Sequence, residues 1–184
     1  DVRLLEAVVP NLEEGWYCVF GLKNGKFVSQ EHYKTLAEVK AEADRLVATE
    51  ADVFYACGRF VTDENRDAEN CGWMQSFFLD IDCGEDKATP DKYGRIKGYI
   101  DQATGLKALR GFIKTIGLPR PILVNSGRGI HAYWPFDDNI AADKWKPYAE
   151  KFKEFCISRG LGIDEVVTAD AARILRAPGT RNLK

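Results

Sequence analysis

The sequence predicts a two-layer α+β fold. Three observations carry that expectation. Short apolar runs bounded by turn residues alternate with longer segments of helical period. One hairpin joins two of those runs in the second half of the chain. No internal repeat or low-complexity segment interrupts the pattern. The 184 residues suit one domain or two small modules sharing a core, and the composition, 45% hydrophobic and 29% charged, is that of an ordinary globular protein.

Each element has its own signal. Residues 1–14 read as a polar helix or arm carrying Leu4, Leu5, Val8 and Val9. GWYCVFGL (15–22) is a strand, and NGKFVSQEHY (24–33) returns as a second one through the Asn24-Gly25 turn. Thr35 opens a helix with Glu38 at capping-box spacing and an apolar stripe of Leu36, Val39, Ala43, Leu46 and Val47. ADVFYACGRF (51–60) is one buried strand, and 62–70 is a polar loop. GWMQSFFLDID (72–82) is the next strand. A mixed-charge loop follows, whose Lys87, Lys92, Arg95 and Lys97 either approach phosphates or are simply solvated.

Thr104 is expected to cap a helix with Leu106, Leu109, Ile113 and Ile116 on one face and Gly117 as its stop. PILVNSGR (121–128) and GIHAYWPF (129–136) make the hairpin. A helix over 143–159 turns Trp145, Ala149, Phe152, Phe155 and Cys156 inward, with Gly160 ending it. From Trp73 onward the order is strand, helix, strand, strand, helix, strand-like tail, which is compatible with a ferredoxin-like split βαβ arrangement.

Composition excludes several classes. No apolar run is long enough to span a bilayer and no N-terminal stretch has the form of a signal peptide, so a cytoplasmic protein is expected. Five cysteines, none spaced CxxC, argue against structural zinc and a disulfide framework. Two histidines exclude a multi-histidine metal site. A net charge of −2 argues against coating nucleic acid by bulk positive charge, though not against a local basic groove. The first residue is not Met and the chain stops just after a motif, which reads as a domain excised from a longer protein.

Three stretches carry chemistry. In FFLDID (77–82) an apolar strand ends in Asp80 and Asp82. Alternation puts both on one face, about 6.5–7 Å apart along the strand, where they repel unless cations sit between them. Two divalent ions would answer that, and two solvated acids at a strand edge are the simpler alternative. In NSGRGIHAYW (125–134), Gly127 and Gly129 flank Arg128, with Ser126 before and His131 and Tyr133 on one face after. Backbone amides, a bidentate Arg and a His make a phosphate cradle; a tight hairpin with a satisfied His is the alternative. In LGIDEVVTADAARILRAPGTRN (161–182), Asp164 and Asp170 are candidate third acids, and Arg173 and Arg176 share a helical face or flank a bend.

DxD at a strand end, then SGRGIH, then an acid followed by RxLRxPGTxN, resembles the archaeo-eukaryotic primase superfamily, within it the primase-polymerase type of phages, plasmids and mobile elements. Asp80 and Asp82 match its first motif, Ser126 to His131 its second, and Asp164, after Ile163, best matches the third-motif acid, with Asp170 competing. The match covers 73–182. The resemblance implies an RRM/ferredoxin-like catalytic module over 71–184, preceded by a smaller α/β module over 1–70. It implies templated nucleotidyl transfer, with Asp80, Asp82 and Asp164 holding two Mg²⁺ or Mn²⁺ ions. Ser126, Gly127, Arg128, Gly129, His131, Arg173 and Arg176 would hold the nucleotide. A single-stranded DNA template, a primer strand and NTPs or dNTPs are the implied partners, in a host cytoplasm if the gene is a phage's. The family often adds a helicase in the same longer chain.

Two other classes compete. A non-catalytic replication-initiator module would keep the fold and the nucleotide pocket while only binding DNA. Another DxD metal enzyme is the third class: a histidine-pair nuclease is disfavoured because the chain lacks two clustered histidines, and a glycosyltransferase would not require the SGRGIH and RxLRxPGT motifs.

Overall fold

Two successive residues with positive φ, Asn24 at 52° and Gly25 at 74°, make the first turn. They close β1 (Tyr17–Lys23) on β2 (Lys26–Tyr33) as a two-residue hairpin, in the turn geometry that Asn-Gly adopts readily. The computed structural model describes residues 2–94 and 96–180. Arg95 and the end of the tail motif, Arg181 and Asn182, lie outside the described residues.

Before this hairpin runs α1 (Val2–Val8), and after it α2 (Leu36–Ala48). The capping box at Thr35 forms as expected: its hydroxyl accepts from Glu38 N, and the Glu38 carboxylate accepts from Thr35 N. The apolar run 51–60 is not one strand. It divides at Cys57 into β3 (Asp52–Ala56) and β4 (Gly58–Phe60), which join different partners. Packing at Gly58 explains the break, because a Cβ there would lie 2.4 Å from Cys71 Sγ and 2.8 Å from Met74 Sδ. The backbone must pass these side chains closely, and only glycine permits it.

Next come β5 (Cys71–Cys83), a single helical turn α3 (Glu85–Ala88) inside the expected loop, and the short β6 (Gly98–Tyr99). α4 (Gln102–Ile116) starts earlier than expected. Asp101, not Thr104, is its cap, and its carboxylate accepts from Thr104 N at 2.7 Å. Gly117 ends it in the left-handed conformation, as its sequence position predicts. The hairpin strands are β7 (Ile122–Asn125) and β8 (Gly129–Ala141), followed by α5 (Ala142–Ser158). Trp145, Ala149 and Cys156 of α5 are buried, but Phe155 is exposed. The tail forms β9 (Ile174–Arg176), so Arg173 and Arg176 do not share a helix face.

The chain divides into two compact units: Asp1–Ser76 with Pro135–Trp145 and Asp170–Lys184, and Phe77–Trp134 with Lys146–Ala169. The first contains a sheet of order β2-β1-β3-β9, and in it β4 pairs antiparallel with the first half of β5. In the second, β7, β8 and the far half of β5 are neighbours, and β6 lies parallel to the end of β5. Its core gathers Leu79 and Ile81 of β5, Ile130, Ala132 and Trp134 of β8, Leu109 and Phe112 of α4, and Cys156 of α5. Residues 161–164 then run beside β5, where Asp164 N donates to Asp80 O at 2.9 Å. Strand, helix, hairpin, helix and returning segment are the split βαβ order expected from the sequence.

One buried ion pair fastens the tail within the first unit. Arg176 Nη1 is 2.6 Å from Asp52 Oδ1, and the guanidinium stacks over Phe54. Both side chains are buried, so removing one partner strands a charge. Arg176→Met is expected to lower unfolding free energy by about 3–5 kcal/mol, read from the midpoint of a urea titration.

Candidate functional site

Strand parity builds the site. Leu79 and Ile81 point into the core of the second unit, so Asp80 and Asp82 face the other way. On the neighbouring strand Ile130, Ala132 and Trp134 join the same core, which turns His131 and Tyr133 to the face of the aspartates. His131 is buried, and its Nε2 lies 3.8 Å from Asp80 Oδ1. The Tyr133 hydroxyl is 3.3 Å from His131 Nδ1, which fixes the ring on the side away from Asp80.

Asp82 has a cation of its own. Lys87 Nζ sits 2.6 Å from Asp82 Oδ2. That hydrogen bond holds the lysine above its ordinary pKa range, and the charges of Asp86 and Asp164 add to it. Asp82, Lys87, Lys97 and Asp164 line one pocket of about 290 Å³. Asp164 is placed by its backbone bond to Asp80, while its Oδ1 accepts from Val166 N and Val167 N at 2.9 and 3.3 Å. Next to Asp82, the thiol of Cys83 is pushed up by burial first and by the charges of Asp82, Asp101 and Asp80 after it.

Hydrogen bonds within the glycine turn engage part of its backbone. Gly127 has φ of 93°, and its N–H donates to Asn125 Oδ1 at 2.8 Å. Ser126 N donates to Gly129 O, and Gln102 Nε2 donates to both Asn125 Oδ1 and Gly129 O. Two amides that a phosphate cradle would use are therefore spent inside the turn. A Cβ on Gly129 would lie 2.5 Å from Ile81 O, so this glycine lets β8 close onto β5. Arg128 is exposed at the tip, and its carbonyl accepts from Cys83 N at 2.8 Å.

The structure thus brings Asp80, Asp82, Asp164, Ser126, Gly127, Arg128, Gly129 and His131 into one unit. Asp170, Arg173 and Arg176 fall in the other. Asp170 Oδ1 accepts from Ala172 N, and Arg176 is committed to Asp52. Among the described loop cations, Lys87 is the one bound to a site carboxylate, and nothing in the local sequence separates it from Lys92. Among the described residues no three His, Cys, Asp or Glu side chains are grouped as a ready metal cluster. The donors themselves are hard carboxylate oxygens, two on one strand face and a third lining the pocket with Asp82, which is the set that suits Mg²⁺ or Mn²⁺.

No protein-family model and no curated protein matches the sequence. Solved structures do match by fold. The chain is similar to the AEP domain of the cyanophage S-2L primase-polymerase, with a TM-score of 0.59 at 17% identity over 98% of this chain and 80% of that one. It is also similar to the polymerase domain of Mycobacterium tuberculosis ligase D, solved in complex with DNA, with a TM-score of 0.53 at 14% identity over 94% and 71%. The chain therefore has the α+β fold of the archaeo-eukaryotic primase domains.

The register at Gly129 is open to a direct check. Gly129→Ala is expected to destabilise the protein by about 1–3 kcal/mol, because its methyl would meet the Ile81 carbonyl. Gly25→Ala, whose Cβ meets nothing within 4 Å, reports the cost of positive φ alone, about 1 kcal/mol. Denaturant midpoints of the two variants give the comparison.

Proposed function

We propose that this chain carries out DNA-templated nucleotidyl transfer, as a primase, a DNA polymerase or both, in the replication of a phage, plasmid or mobile element. The observation that carries the reading is the shared face: Asp80, Asp82 and His131 stand on neighbouring strands, with Asp164 bonded through its backbone to Asp80. A fold shared with a primase-polymerase and a ligase polymerase domain supports it.

Asp80, Asp82 and Asp164 would hold two divalent ions, Mg²⁺ or Mn²⁺. Such ions acidify an attacking 3′-hydroxyl and neutralise charge on a departing pyrophosphate. The rest of the task falls to the chain. His131, with Tyr133 on Nδ1, would present Nε2 to a phosphate oxygen. Arg128 at the turn tip would supply a planar, permanently charged fork to the triphosphate, with the Ser126 hydroxyl beside it. The template and primer would be single-stranded and recessed DNA, and the substrates NTPs or dNTPs.

One observation favours a second reading, a non-catalytic nucleotide- and DNA-binding module. Asp82 is already neutralised by Lys87. Primer extension with Mn²⁺ and labelled nucleotides separates the two. We expect product from the native chain and a fall of at least about 100-fold in Asp80→Asn, Asp82→Asn and Asp164→Asn, with Asp170→Asn near the native level. Absence of product under priming and extension conditions alike would favour the binding module.

A further inference from the structure

Lys87 stands where the proposed site needs a cation. Its ammonium is 2.6 Å from Asp82 Oδ2 and lines the same pocket as Asp164. The chain is arranged to put it there. Gly84, with φ of 151°, turns the backbone off the end of β5, and Lys87 N closes one helical turn on Gly84 O at 3.1 Å. Lys87 is thus fixed at its root, while its side chain is 41% exposed. A four-carbon stem rooted in this way can swing its charge several ångströms without moving the backbone.

An ammonium and a divalent ion compete for the same Asp82 carboxylate in the pocket that Asp164 also lines, because like charges a few ångströms apart repel. A divalent ion that enters must displace the lysine. The displaced lysine can then pair with another anion, and under the proposed function the phosphates of an incoming nucleotide are the anions that would reach this site. We propose that Lys87 is a built-in counter-ion that competes with the divalent cation for Asp82 and Asp164, and that passes to the nucleotide's phosphates when the cation binds. This rests on the reading of Asp80, Asp82 and Asp164 as metal ligands. Lys87 would then offset the charge of Asp82 between turnovers and couple metal entry to nucleotide entry.

The test is Mn²⁺ binding by electron paramagnetic resonance, without nucleotide, on the native chain and on Lys87→Met, Lys87→Gln and Asp80→Asn. We expect both Lys87 variants to bind Mn²⁺ about two- to fivefold more tightly, the scale set by a partly exposed ion pair. We expect the same variants, at saturating Mn²⁺, to bind a fluorescent nucleotide more weakly by a similar factor. Unchanged or weaker Mn²⁺ binding in both Lys87 variants overturns the proposal, as does unchanged nucleotide binding. Asp80→Asn separates the two readings. If it binds Mn²⁺ as the native chain does, the metal site itself is wrong; if it loses Mn²⁺ while the Lys87 variants match native, only the role of Lys87 fails.

Discussion

The site depends on the register of one strand. β5 alternates Leu79 and Ile81 against Asp80 and Asp82, and a slip of one residue would exchange the two sets. Burying Leu79 and Ile81 stabilises the fold by roughly 1.5–3 kcal/mol each. Turning unpaired carboxylates into that core would cost at least as much again. The neighbouring strand reinforces the choice, because β8 approaches so closely at Gly129 that only a glycine fits over Ile81. The same contact that locks the register brings His131 alongside Asp80. Packing on one face therefore positions the polar groups on the other, and the acids need no dedicated scaffold.

The second constraint is charge. Asp80 faces His131 and Asp82 faces Lys87, so the two strand acids meet different partners. A buried imidazole close to a carboxylate is a fixed fixture of the fold. A half-exposed lysine on a short surface turn is not. The two partners thus differ in how readily they leave, and the Asp82 end of the pair is the one that can change its counter-ion. Asp164 is handled in a third way, by the amides of its own turn. These three solutions explain how acids of one sign stand together in a chain that carries no bulk positive charge to offset them.

Much of this was legible in the sequence because the signals were local. Asn24-Gly25, the Thr35–Glu38 box and Gly117 each specify backbone geometry within a few residues. The parity of FFLDID and of IHAYW follows from alternation alone. What stayed hidden was long-range. The break at Cys57 depends on Cys71 and Met74 crowding Gly58. The sequence points to Thr104 as the cap, and the bond that Thr104 N itself donates to the Asp101 carboxylate assigns the cap to Asp101 instead. Lys87 looked like its loop neighbours because the turn at Gly84 that aims it cannot be read from composition. Asp164 and Asp170 are alike in kind, each accepting an amide two residues on. The apolar Ile163 before it already favours Asp164 in the sequence; the structure adds the bond from Asp164 N to Asp80 O, a pairing across more than eighty positions that no spacing rule supplies.

The tail arginines sharpen the point. RILR invites a phosphate-binding reading because arginine forks suit phosphates. Yet Arg176 reaches back 124 positions to Asp52, an acid concealed in the apolar run ADVFY. A buried acid in such a run requires a partner, and the nearest permanent charge of correct sign supplied by β9 is Arg176. The arginine therefore closes the first sheet on the tail, and Ala177 N adds a backbone bond to Val53 O. A residue within a motif of functional appearance can thus serve the fold. The functional reading consequently rests on the residues that the second unit gathers itself, Asp80, Asp82, His131 and Asp164 with the turn at Arg128, and it would stand unchanged if the tail carried no arginine beyond the one Asp52 requires.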